Sequence, residues 1–218
     1  MVRKTKNKSK AQYIWTGLQE MYPDAACTLD SGADPFHLFV RGILSAQCTD
    51  KRVNAVTETL FQEYPDMQAF AVANEDELGE KIKSCGLYRA KAKGIIHSAQ
   101  MLINEYNGVI PDCPETLEKF PSVGRKIANL IAGEVYGIPA IVVDTHCIRV
   151  SFRLGLTESH TPAKIEKDLM QAFPEEQWIA IGHLMVAHGR SRCMAKKTDC
   201  ANCLIWENCV YGRTVISS

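Results

Sequence analysis

Leu117-Glu118-Lys119-Phe120-Pro121-Ser122-Val123-Gly124-Arg125-Lys126-Ile127-Ala128-Asn129 is the stretch from which the rest of the chain can be read. A short helix beginning near Pro114 runs into Phe120-Pro121-Ser122-Val123-Gly124, and a second helix follows. A tight turn that ends in glycine before a helix exposes several backbone N–H groups together. With the positive end of the helix dipole, those donors suit a phosphate oxygen. By itself this is the pattern of any helix–turn–helix hairpin. Lys126 adds chemistry to it. A lysine in the first turn sits in a positive field and is partly shielded by the Ile127 face. Both effects disfavour the ammonium form, and a neutral lysine amine is a nucleophile that forms Schiff bases. Asp144 follows eighteen residues later, within Val142-Val143-Asp144-Thr145-His146. It precedes an apolar helical run (Ile148, Val150, Phe152) and reads as its N-cap. A capping carboxylate can also act on a substrate.

Outward from the hairpin, the periodicity is helical nearly throughout. Phe36, Phe39, Val40, Ile43 and Leu44 recur at helical spacing, as do Ala92, Ile95, Ile96, Ala99, Leu102 and Ile103, and then Ile127, Leu130, Ile131 and Val135. Each set puts one apolar face on a helix. The nine prolines fall at helix starts and connections, where the missing N–H costs little. Only Ala140-Ile141-Val142-Val143 tempts as a strand, and it is short. The pattern predicts an all-α protein of about ten helices, the last long apolar one over about residues 176–188.

Beyond that helix stand Cys193, Cys200, Cys203 and Cys209, spaced C-x6-C-x2-C-x5-C. Four soft ligands on one loop can close around a metal or a cluster. The N-terminus MVRKTKNKSK lacks the apolar core of a signal peptide, and no apolar run approaches the roughly 18 residues of a membrane span. A reducing cytoplasm is therefore expected, where clustered thiols serve as metal ligands more often than as disulfides. An all-thiolate set suits an iron–sulfur cubane or a zinc ion, and spacing alone leaves both open. Cys27, Cys48, Cys85, Cys113 and Cys147 are scattered and read mostly as small core residues.

The chain has 218 residues, 46% hydrophobic and 23% charged, with 25 basic and 25 acidic side chains. That composition is globular, and the zero net charge excludes a polyanion-binding surface spread over the whole protein. The first ten residues hold five basic side chains and no acid, leaving 20 basic against 25 acidic elsewhere. This basic segment reads as a disordered tail.

FPSVGRKIAN, VVDTHCIRV and HGRSRC leading into the cysteine quartet, taken together, resemble the endonuclease III family. This is the bifunctional DNA glycosylase/AP lyase branch of the helix-hairpin-helix–GPD superfamily. ILSAQCTD at 43–50, IKSCGLYRAKAKGI at 82–95 and NGVIPDCPETL at 107–117 add to the likeness, which covers roughly residues 20–210 in order. The resemblance implies a six-helix barrel domain over 28–138, with its hairpin at about 114–136. It also implies a discontinuous iron–sulfur domain from 1–27 and 139–218, its cluster loop at 193–209, and a cleft between the two domains. It implies a [4Fe–4S] cluster on Cys193, Cys200, Cys203 and Cys209, with Lys126 and Asp144 as the catalytic pair and Glu118 near them. Gln47 and Leu87 match residues that enter the duplex beside an extruded nucleotide. Pro121, Ser122, Val123, Gly124, Arg125, Arg190, Lys196 and Lys197 would hold the backbone, Arg192 lying beside them.

The implied partner is double-stranded DNA carrying damaged bases or abasic sites, bound by a monomer with no membrane involved. The implied activity removes bases, oxidised pyrimidines above all, through a Lys126 Schiff base, and cuts 3′ of the abasic site by β-elimination. Two alternatives stay open on sequence: a non-catalytic iron–sulfur protein that binds DNA structures, and a monofunctional glycosylase of the same superfamily. One departure is informative. The family hairpin usually reads Leu-Pro-Gly-x-Gly, and here Ser122 stands at the first glycine. If that position needs φ > 0, serine carries strain there.

Overall fold

The computed structural model describes residues 2–30, 32 and 34–217, with side chains described from Ser9 onward. Among the described residues there are twelve α-helices, three 3-10 turns and no strand beyond an isolated Cys193–Thr198 bridge. Residues 140–143 run as irregular backbone. No helix among the described residues is long and apolar enough to cross a membrane. The chain folds as two compact units, one from residues 27–138 and one from both ends, 1–26 and 139–218.

The continuous unit holds α2 (Pro35–Leu44), α3 (Asp50–Glu63), α4 (Met67–Ala71), α5 (Glu75–Lys81), a 3-10 turn at Lys83–Cys85, α6 (Tyr88–Tyr106), α7 (Pro114–Leu117) and α8 (Arg125–Tyr136). Side-chain caps start several of these helices. Asp34 caps α2 by accepting from Phe36 N, with Pro35 at the first position, and Thr49 caps α3 by accepting from Arg52 N. Asn74 caps α5 through the amides of Asp76 and Glu77. α2 is buried from Leu38 to Leu44 and is the axis of the unit. Phe36 stacks on Phe39, Phe70 meets Phe36 edge-on, and Phe39 meets Phe120 edge-on at 5.8 Å between centroids. Burying these rings contributes roughly 2–3 kcal/mol each. Gly42 brings α2 close to α8: a Cβ there would lie 3.0 Å from Ile127 Cγ2.

The discontinuous unit holds α1 (Val2–Met21), α9 (Thr145–Leu154), α10 (Pro162–Ala172), α11 (Trp178–Ser191), a 3-10 turn at Trp206–Asn208 and α12 (Val210–Ile216). Its core joins Ile14 and Leu18 of α1 to Val150, Leu169, Ile181, Met185 and Ile205. Gly17 permits the approach of α1 to the C-terminal loop, since a Cβ there would fall 2.4 Å from Ile205 Cγ2. Tyr13 Oη reinforces it by donating to the carbonyl of Leu204, and Lys10 Nζ ties α1 to the end of α9 by donating to the carbonyl of Gly155. The basic segment expected to be disordered instead continues α1, whose backbone is helical from Val2. Its lysines and arginine favour helix, and no proline or glycine precedes Gly17 to break it.

Candidate active site and cysteine pocket

The hairpin is built from its apolar anchors outward. Leu117, Phe120 and Val123 are buried, and the Phe120 ring packs on Phe39 and Tyr106. Between these anchors the chain turns tightly, with Phe120 N donating to Leu117 O and Val123 N to Phe120 O. Ser122 pays the conformational cost of the turn at φ 64, a left-handed strain of about 1–2 kcal/mol for a residue with a side chain. Gly94 of α6 makes room for it: a Cβ at Gly94 would lie 2.3 Å from Ser122 Oγ and 2.9 Å from Ser122 Cβ. Gly124 is the N-cap of α8 with φ −102, which any residue adopts, and a Cβ there would meet nothing within 4 Å. Its bare backbone leaves the mouth of α8 open to an approaching ligand. No side chain caps that end.

Lys126 is the second residue of α8 and is half-buried beside the Ile127 face. It lies near the half-buried Cys27 thiol, which burial pushes up to about 11 and Lys126 pulls slightly down. Arg125 is exposed and donates to Glu115 Oε1 and Glu118 Oε1, both at 3.0 Å. Glu118 is thus an ion-pair partner of the hairpin arginine. Glu115 is held near pKa 2, first by the Cys113 thiol at 3.1 Å and then by Arg125. Of the five scattered cysteines, expected mostly in the core, Cys113 is exposed. Cys85 and Cys147 are buried, and Cys27 and Cys48 half-buried.

Gln47 and Leu87 are the other two exposed positions of interest in this unit. Both are left-handed, at φ 54 and φ 49, and Leu87 is 55% exposed. Two non-glycine residues held in that region, each on a loop tip, mark segments fixed by their surroundings.

Asp144 belongs to the discontinuous unit and caps α9, its Oδ1 accepting from Cys147 N at 2.7 Å. His146, two residues on, accepts from Arg149 at Nδ1. Burial lowers the His146 pKa, with Asp144 opposing and Arg149 and Arg190 adding to the shift. Arg149 also donates to Gly189 O at 2.8 Å and Cys193 O at 3.1 Å.

All four cysteines of the quartet line one pocket, together with His188 and Trp206. Among the described residues no three His, Cys, Asp or Glu side chains converge on one metal-ion position; the thiols ring a space instead. Donors point at the sulfurs: Gly212 N to Cys209 at 3.2 Å and Arg153 NH1 to Cys193 at 3.4 Å. Arg153 also binds the carbonyls of Met194 and Ala195, and so shapes the loop between the first two cysteines. His188 is buried, held neutral with a pKa near 4 by desolvation, and linked to Tyr22 Oη at 3.0 Å. Arg190, Lys196 and Lys197 are exposed.

The sequence alone did not single out Arg149, Arg153 or Lys91. The last had a signal: Lys91, Ile95, Ser98 and Leu102 share one face of α6 at helical spacing, so a lysine sits in an otherwise inward stripe.

A helical hairpin with an open glycine mouth, a lysine one step inside it, and a thiol-ringed pocket define a class. Residues 40–175 match the HhH-GPD superfamily of base excision DNA repair proteins. The endonuclease III of Synechocystis is 42% identical over 203 residues, 93% of this chain and 92% of the relative. A solved non-covalent endonuclease III–DNA complex superposes with TM-score 0.91 at 39% identity, covering 97% of this chain and 99% of that one. A trapped endonuclease III–DNA covalent intermediate gives the same TM-score and identity over 96% and 98%. The chain belongs to the HhH-GPD superfamily and, within it, to the endonuclease III family. It is a DNA-binding enzyme of base excision repair, a glycosylase with AP lyase activity, and not a passive binder of DNA structure.

Proposed function

We propose that Lys126 is the nucleophile of this enzyme and that Asp144 is its electrostatic partner. The observation that carries this reading is the seat of Lys126: half-buried, two residues into α8, beside the glycine mouth. A damaged base inside a duplex is out of reach, so the nucleotide must first swing out, at a cost of about a few kcal/mol that is least for bases that pair badly. The Lys126 amine attacks C1′, the glycosidic bond breaks, and the base leaves with a proton. Ring opening gives an iminium between Lys126 and C1′. This makes the C2′ proton acidic, and its removal expels the 3′ phosphate by β-elimination. Water then releases the lysine. Asp144 stabilises cationic character on the sugar and assists proton movement, its Oδ1 steadied by the Cys147 amide.

The substrate in this reading is double-stranded DNA bearing an oxidised or ring-saturated pyrimidine or an abasic site, met by a monomer in the cytoplasm. Gln47 and Leu87 enter the stack beside the extruded nucleotide. The hairpin from Pro121 to Gly124 takes a phosphate on its amides, and Arg125, Arg190, Lys196 and Lys197 hold neighbouring phosphates. Arg125 exchanges Glu115 and Glu118 for phosphate as DNA arrives.

Cys193, Cys200, Cys203 and Cys209 hold a [4Fe–4S] cluster. Soft ligands ringing a pocket suit a multi-atom cluster better than a zinc ion, which draws its ligands to one point. When bound, the cluster supplies a rigid cross-link for loop 193–209, and the loop presents Lys196 and Lys197 to the DNA backbone.

Borohydride reduction during incubation with a duplex carrying one abasic site tests the nucleophile. Wild type is expected to give a covalent adduct, and Lys126→Gln none. An undiminished adduct in that variant removes Lys126 from the mechanism. Asp144→Asn is expected to slow base release by about 100-fold.

A further inference from the structure

Lys91 is 3% exposed, in the interior of the continuous unit. Its ammonium donates to three main-chain carbonyls: Leu44 at 2.8 Å, Ala46 at 2.6 Å and Cys85 at 2.9 Å. An ammonium has three protons, and these contacts use all of them. Burial lowers the Lys91 pKa, and the neighbouring groups that oppose the shift are the thiols of Cys85 and Cys48. A charge kept in such a place needs a reason, because an apolar side chain of similar length would fill the space without the desolvation penalty.

The three carbonyls supply one. Leu44 and Ala46 lie at the end of α2, and Cys85 ends the 3-10 turn before α6. Ala46 immediately precedes Gln47, and Cys85 stands two residues before Leu87. Gln47 and Leu87 are both exposed and left-handed. A single cation therefore ties together the two segments that carry the tips, from beneath. The Cys48 and Cys85 side chains are within hydrogen-bonding reach across the same gap.

We propose that Lys91 is a positioning residue for entry into the duplex: its ammonium fixes the spacing of Gln47 and Leu87 so that both tips enter the base stack together. This rests on the assignment of Gln47 and Leu87 as duplex-entering residues. Lys91 touches neither substrate nor reacting atoms, so its loss affects steps that need an extruded nucleotide and spares the chemistry itself.

The test compares full-length Lys91→Met and Lys91→Gln with wild type on two substrates. One is a duplex with a single oxidised pyrimidine, read as single-turnover base release. The other is a single-stranded oligonucleotide with an abasic site, read as β-elimination, where no stack has to be opened. The expected result is a fall of tenfold or more on the duplex in each variant that folds, with the single-strand rate within about twofold of wild type. Equal losses on both substrates, in proportion to the fraction of folded protein, make Lys91 merely structural and overturn the proposal. An unchanged duplex rate overturns it as well. If Lys91→Met does not fold, Lys91→Gln decides by the same ratio. If neither folds, the role is structural and the proposal falls. A Gln47→Ala/Leu87→Ala double variant separates the two layers of the argument. If it leaves duplex activity intact, the duplex-entry assignment is wrong. If it impairs duplex activity while the Lys91 variants do not, that assignment survives and the Lys91 proposal fails.

Discussion

Ser122 and Gly94 share one small space, and each makes sense only with the other. Ser122 sits at φ 64, and its Oγ occupies the place a Cβ on Gly94 would take. Ser122→Gly relieves the left-handed strain and is expected to raise unfolding stability by about 1 kcal/mol. Gly94→Ala on its own forces Ser122 aside and is expected to cost about 1–3 kcal/mol through overpacking. Combining the two changes removes the collision and lets alanine contribute its helix preference, so the double variant is expected to equal or exceed wild type. Urea unfolding of the three variants checks this. Additive effects would mean that the side chains do not meet. Positive φ at Ser122 was raised in sequence only as a condition, by the glycine that the family places there. The compensation at Gly94 was not legible, because nothing in sequence joins two residues on different elements.

At the level of elements, α9 and α11 meet where Gly189 faces His146. A Cβ on Gly189 would stand 2.9 Å from His146 Nδ1 and 3.0 Å from an Arg149 nitrogen. The contact buries the imidazole and makes it an acceptor for Arg149, so protonation has to break that bond. The folded-state pKa is lowered. Above about pH 6.5 the histidine is neutral in both folded and unfolded chains and contributes nothing to pH dependence. Below it the unfolded chain takes the proton first, and stability falls as pH drops. His146→Gln keeps an acceptor without the titration. Its urea midpoint is expected to fall less than that of wild type between pH 7.5 and 5.5, and parallel curves would exclude His146 as the source. The Asp144 cap was readable because an aspartate before an apolar helical run is a one-turn pattern. The fit of α9 on α11 was not, since it depends on a glycine more than forty residues away.

On the scale of the whole molecule, sequence periodicity carried the all-helical architecture, and four closely spaced cysteines carried the pocket. Both signals are short-range. Lys91 escaped because its partners are main-chain carbonyls, which leave no mark in a sequence beyond the odd lysine in an inward stripe. The exposure of Cys113 escaped for a related reason: a cysteine's spacing does not reveal which side of a loop it faces. The cluster assignment has its own test. Purified protein is expected to show a broad visible absorbance shoulder that Cys203→Ser diminishes, with about four iron atoms per chain in wild type. Stoichiometric zinc without the shoulder would replace the cluster with a single-ion site.

The unit built from both ends of the chain imposes an order on synthesis. Leu18 packs in the same core as Ile205, so the first helix leaves the ribosome long before the surface that buries it. At about 5–20 residues per second the delay is roughly 10–40 s. Over that interval Leu18 lacks Ile205 as a core partner, while residues 27–138 are completed and able to collapse. The nascent chain must therefore carry the exposed Ile14 and Leu18 until their core is made, and the run of early lysines is well suited to keep that helix in water.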